Sequence, residues 1–139
     1  MLPINLMAVV VAAVVAFVLG FLFHGPLLGK LWMRLANVVP TGNEKFKDMI
    51  PQMLWNLLAN FVTAYSLAVI YLFASVSPLL DTTGTMSGII CAFWLWLGFI
   101  LASSSMEVIW MKRPYKLWLF ESFCSLVILA AMGAIIASW

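Results

Sequence analysis

The stretch "INLMAVVVAAVVAFVLGFLF", Ile4 to Phe23, decides the fold. At 1.5 Å per residue, about 20 apolar residues cross a ~30 Å hydrocarbon core once. A cleaved secretory signal would put Lys or Arg before the apolar run and small residues at a cleavage site after it. Here no basic residue precedes the run, and His24, Lys30 and Arg34 follow it. The segment reads as a retained span. His24-Gly25-Pro26 ends it, because Gly and Pro disfavour helix continuation.

Outward from this segment the chain repeats the theme. Its 139 residues are 65% apolar and only 9% charged, with a mean hydropathy of +1.12. Soluble domains lie nearer half apolar and a quarter charged. The whole chain, residues 1–139, reads as a single transmembrane domain. Further spans are expected over residues 52–76, 86–110 and 115–138, with Pro51 in the first turn of the second and Pro114 opening the fourth. Residues 77–85 and 111–114 make short turns. Leu27, Leu28, Leu31, Trp32 and Leu35 recur at helical spacing, with Lys30 and Arg34 on the other face. That pattern predicts a short amphipathic helix over residues 27–38, lying in the membrane interface. "PTGNEKFKD" (Pro40 to Asp48) follows as a polar loop, with Thr41 or Asn43 as a helix cap. The expected fold is an all-α integral membrane protein of four transmembrane helices, with the interfacial helix after the first.

Charge placement orients this bundle. Lys30, Arg34, Lys45 and Lys47 lie between spans one and two, and Lys112, Arg113 and Lys116 at the junction of spans three and four. These are all seven basic residues of the chain. Four spans with every Lys and Arg on one side give a positive-inside signal. The basic loops are expected in the cytoplasm and both termini outside, in a multi-pass protein of a bacterial cytoplasmic membrane. The net charge of +2 says little about partners, and no basic run with interleaved aromatics marks a nucleic-acid surface.

In lipid, helices associate through close backbone approach rather than hydrophobic drive. Span one carries Ala8, Ala12, Ala16 and Gly20, a small residue at every fourth position. This is a helix-packing face, toward a neighbour in this chain or in another copy. Ala130, Gly133 and Ala134 offer a weaker version in span four. Trp32, Trp55, Trp110, Trp118 and Trp139 fall near predicted ends, where tryptophan anchors at the interface. Trp94 and Trp96 lie deeper, and an indole N–H facing lipid is costly, so at least one is expected to face protein.

Several stretches together resemble the uncharacterised membrane family called domain of unknown function 1761, over nearly the whole chain. They are "AAVVAFVLGFLFHGPLLGKLWMRL" (Ala12 to Leu35), "FWLWLGF" (Phe93 to Phe99), "KRPYKLWLFESF" (Lys112 to Phe123) and "MGAIIASW" (Met132 to Trp139). The resemblance implies a multi-span architecture and no established activity. Members generally have a Tyr-Ser-Pro-like break before a Gly-Lys-x-x-Trp segment, where this chain has the shorter "HGPLLGKLW". They commonly carry Asn and a small residue where this chain has Glu121 and Ser122.

Polar residues inside the spans are the candidate site. Asn56, Asn60 and Thr63 share one helical face, and Glu121 and Ser125 lie four apart. Counted from Pro51 and Pro114, Asn56 and Glu121 lie roughly 7–12 Å into the membrane. His24 and Glu107 end spans one and three at the same side. These residues could therefore share one layer toward the cytoplasm. Glu121 is the sharpest feature, since a charge at mid-membrane costs about 2.5–3.5 kcal/mol, less near an interface. Two readings stay open: a carboxylate that handles protons or cations, and a hydrogen bond to Asn56 or Asn60 worth about 0.6 kcal/mol. Asparagine at this place in the resembled family favours the second. Glu107 opposes the helix dipole in the last turn of its span, with Lys112 and Arg113 close enough to compensate. His24 reads as an interfacial residue.

Cys91 and Cys124 differ in depth by about 10 Å and read as unpaired apolar thiols. One His and two scattered Cys make no metal site. No HExxH, GxSxG or nucleotide-loop pattern is present, so no cofactor is implied and enzymatic activity is unsupported. The expected partners are the lipid bilayer and further copies of the chain, with any small-molecule or ion ligand unspecified. Three functions follow in order: a structural or accessory membrane protein with interhelical polar packing, a small oligomeric channel or transporter with a polar path, and an intramembrane enzyme using His24 and Glu121.

Overall fold

A computed structural model describes residues 4–40, 42, 46–77 and 83–139. Thr41, Asn43 and Lys45, named above as caps or charges, lie outside the described residues. Helix α1 covers Leu6–His24, α2 Gly29–Ala36 and α3 Phe46–Ser75. Helix α4 (Thr85–Leu95) runs through a π-helical segment, Trp96–Leu101, into α5 (Ala102–Trp110), and α6 covers Tyr115–Ser138. Among the described residues, four helical stretches are thus long and apolar enough to cross a membrane: α1, α3, α6 and the continuous Thr85–Trp110.

Local chemistry explains most helix ends. The Asn5 side chain accepts from the amides of Met7 and Ala8 at 3.0 and 3.3 Å, capping α1. Between α1 and α2 the chain turns too tightly for side chains at two positions. A Cβ on Gly25 would lie 2.7 Å from the Phe21 carbonyl oxygen, and one on Gly29 2.7 Å from that of His24. Asn37 adopts the left-handed conformation (φ 53°) that ends α2, a role asparagine fills when glycine does not. The amphipathic helix is therefore shorter than the expected 27–38.

Helix α3 departs from expectation at its start. The spacing predicts Pro51 in the first turn of a span beginning near residue 52, yet the helix begins at Phe46 and Pro51 lies inside it. The residues before it, Phe46 to Ile50, are exposed, and Asp48 sits in the first turn where a negative charge suits the dipole. Thirty residues at 1.5 Å make about 45 Å, longer than a ~30 Å hydrocarbon core.

Packing rests on small residues. Ala8, Ala12 and Ala16 are almost wholly buried, because α1 packs against both α3 and α6 of the same chain. The small-residue face of α1 is thus used within the chain. The closest backbone approach is elsewhere, where α4 crosses α6. A Cβ built on Gly88 would overlap the Gly133 carbonyl, and one on Gly133 would lie 2.8 Å from the Gly88 carbonyl carbon and 2.9 Å from the Ala92 Cβ. Gly88 was not singled out from sequence.

The helices alternate in direction. Contacts between Tyr71 and Ser87 and between Thr85 and Ser138 tie one end. His24, Trp32, Glu107, Arg113 and Glu121 gather at the other. All described Lys and Arg residues sit on the elements that meet at this second end.

Candidate functional site

The second end holds a three-residue ion cluster. Arg113 lies in the turn between α5 and α6. Lys112 before it has a positive φ of 52°, which lets the Arg113 amide donate back to the Glu107 carbonyl at 3.3 Å. That turn aims the guanidinium back along the helices. One of its nitrogens donates to Glu107 Oε2, and the other to Glu121, at 2.9 Å to Oε1 and 2.8 Å to Oε2. The Glu121 side chain is 29% exposed, so its charge is answered by the long arm of Arg113 reaching inward from the chain turn. Glu121 Oε1 also receives a long bond, 3.5 Å, from the Trp32 indole of α2, which docks the amphipathic helix on α6. The hydrogen bond from Glu121 to Asn56 or Asn60 entertained above is not the one formed.

A cleft of about 190 Å³ beside this cluster is lined by Ser104, Trp118, Ser122 and Ser125 as well. Its walls are hydrogen-bonded across helices. Trp118 donates to Ser104 Oγ at 2.9 Å. Trp96, only 8% exposed, donates to the Ser122 carbonyl at 2.9 Å and to Ser125 Oγ at 3.0 Å. Of the two deep tryptophans it is Trp96 that faces protein, while Trp94 is exposed. Ser125 also donates to the Ser122 carbonyl.

The π segment makes these pairings possible. On an uninterrupted α-helix Ser104 would point about 160° away from Gly88, off the α6 side. A π turn holds one extra residue and sets the following helix back by roughly 100°. Ser104 then faces within about 60° of Gly88, and Glu107 aligns with it, as their bonds to Trp118 and Arg113 require. Ser103, Ser104 and Ser105 donate to the carbonyls of Phe99, Leu101 and Ala102, on and beside the irregular turn. Nothing in the reading of residue spacing signalled this segment.

The remaining candidates form a second group. Asn60 donates to Asn56 Oδ1 at 2.8 Å and to its carbonyl at 3.0 Å, so the pair is bonded along one helix. Thr63 donates to the Ala59 carbonyl and is exposed. The His24 Nδ1 donates to the Gly20 carbonyl at 3.0 Å, and its ring meets those of Trp32 and Phe120 edge-on. His24, Asn56 and Asn60 line a groove of about 380 Å³ between α1 and α3, apart from the cluster around Arg113. The expected single layer is thus two groups at one end, with His24 between them. Among the described residues no three His, Cys, Asp or Glu side chains converge to hold a metal ion, and Cys91 and Cys124 are free and buried.

These features define an all-helical protein of multi-pass membrane type, in which the charged side chains of the described residues gather at one end. Residues 7–137 match the family described as protein of unknown function, DUF1761. The chain belongs to that family. No curated protein and no solved structure matches it.

Proposed function

We propose that the chain is a structural or accessory membrane protein, with both termini outside and its charged end at the cytoplasmic face. All Lys and Arg residues on one side of four spans support that orientation. The single observation that carries the reading is Arg113 held between Glu107 and Glu121. The carboxylate best placed to handle a proton or cation is already matched to a guanidinium. The other polar groups in the spans bond within a helix or pin two helices, which fixes packing. The experiment is reconstitution in liposomes with proton, cation and anion flux measured. No flux with any ion is the expected result. Flux abolished by Glu121→Gln would replace this reading with transport.

A second reading rests on α3. Only 17% of its most apolar window is buried, and Asn56 and Thr63 are exposed on it. Polar groups facing lipid are costly, so further copies meeting along α3 would cover them and could enclose an oligomeric path. Cross-linking from single cysteines at Asn56 and Thr63 tests this. Dimers from these positions, and none from Val14 or Val18 on exposed α1, would favour it.

A further inference from the structure

The cleft beside Arg113 holds more hydrogen-bonding capacity than the chain uses. Two carboxylates, Glu107 and Glu121, and one guanidinium, Arg113, line it, so one negative charge is left unanswered. Arg113 meets Glu107 at Oε2, and Glu107 Oε1 makes no hydrogen bond among the described residues. Lys112 and Lys116 are exposed, stand outside the lining, and form no ion pair among the described residues. Ser122 is an independent sign of a guest. It is only 6% exposed and lines the cleft, yet its hydroxyl makes no hydrogen bond among the described residues; only its carbonyl is used. A hydroxyl so placed has lost most of its water and gained nothing from the chain, which is costly until a guest bonds it. Ser104 and Ser125 are already engaged. Each donates to a carbonyl and accepts one indole N–H, from Trp118 and Trp96 respectively, so only a lone pair is left on each. The serines and the free carboxylate oxygen therefore suit a cation that carries N–H donors. Trp118 adds an aromatic wall, and aromatic rings attract cations.

We infer that this cleft binds a primary ammonium group, its charge against Glu107 and its N–H groups shared among Glu107 Oε1 and the hydroxyls of Ser122 and Ser104. Three N–H donors on a single charge match these acceptors. A space of about 190 Å³ admits a group of this size. The inference goes beyond the structural reading above: Glu121 stays matched to Arg113, and binding in the cleft needs no passage across the membrane. The ammonium belongs either to a free amine or to an ethanolamine lipid headgroup, which offer the same chemistry.

The test uses the full chain purified in detergent, with saturation-transfer NMR at constant ionic strength as the readout and methylammonium as the probe. Saturable binding is expected. Potassium and tetramethylammonium, which lack N–H donors, should compete at least about tenfold less well than ethylammonium. Glu107→Gln removes the unanswered charge and should weaken binding about tenfold or more. Ser122→Ala removes a hydroxyl that bonds nothing in the chain, so it should weaken binding about fivefold while leaving unfolding in SDS unchanged. Displacement of methylammonium by dioleoyl phosphatidylethanolamine and not by dioleoyl phosphatidylcholine makes the headgroup the source, and displacement by neither makes it a free amine. No saturable binding of methylammonium overturns the inference. So does potassium competing as well as ethylammonium, displacement by both lipids, or undiminished binding in either variant. Ion flux is read separately from binding, so the proposed function and the ammonium site can fail independently.

Discussion

The Gly88–Gly133 crossing makes a sharp quantitative prediction. Replacing Gly133 with alanine places a methyl group 2.8 Å from the Gly88 carbonyl carbon and 2.9 Å from the Ala92 Cβ. These are backbone and short-side-chain atoms, so no rotamer change relieves the overlap and α4 must move off α6. Overpacking of this kind costs about 1–3 kcal/mol, and the rigid partner places it at the upper end. Exchange of glycine for alanine inside a helix returns about 1 kcal/mol. The net loss is about 2 kcal/mol, roughly 30-fold in the folding equilibrium. Gly88→Ala should cost as much, since its added Cβ would lie 2.7 Å from the Gly133 carbonyl carbon and 2.6 Å from the Ala137 Cβ. The double variant should cost clearly less than the sum, because one displacement of the helices relieves both contacts. Gly20→Ala is the control. Its Cβ meets Ile128 in ordinary contact, so it should be neutral or stabilising by up to about 1 kcal/mol. Unfolding by SDS titration from mixed micelles, followed by tryptophan fluorescence, measures all four. Gly133→Ala as stable as the unaltered protein, or Gly20→Ala as damaging as Gly133→Ala, would refute the reasoning.

Other perturbations address the charged end. Trp96→Phe removes the one N–H shared by two acceptors and leaves a gap where the wider indole was buried, and should lower stability by about 2–3 kcal/mol in the same SDS titration. A cycle of Arg113→Met and Glu121→Gln should give a coupling below about 1 kcal/mol, because the side chains are about a third exposed. Removing Arg113 alone should cost more than removing Glu121 alone, since it leaves two carboxylates together. Lys112→Gly relieves a left-handed side chain and should stabilise by about 0.5–1 kcal/mol, read as a higher melting temperature in detergent.

The parts of this fold that were legible from residues are those governed by one helix at a time. A 20-residue apolar run needs no partner to be recognised, and the Leu and Trp spacing of α2 separates its two faces without outside help. Asn56 and Asn60 four apart are also local, and they do bond each other. Pro51 misled because proline in a first turn is the common case, and only the observed helix start shows it in the interior. What was hidden depends on which helices meet. Gly88 is one glycine among apolar neighbours until Gly133 is set against it. The pairing of Glu121 with Arg113 depends on the turn through Lys112. Depth counting brought Glu121 near Asn56, but rotation about the helix axis turned them to different neighbours.

The π segment also leaves this span with one residue to spare. Deleting a single residue between Trp96 and Leu101 would not shift everything by a fixed amount, as it would in an ordinary helix. The half before it, anchored by Gly88 and Ala92, would keep its seat. In the half after it, Ser104 would lie one ordinary helical step nearer to Gly88 in sequence, so it would still face within about 60° of Gly88, Glu107 would stay aligned, and the irregular turn would become plain α-helix. One residue can therefore be removed here while both halves of the span go on facing what they face now.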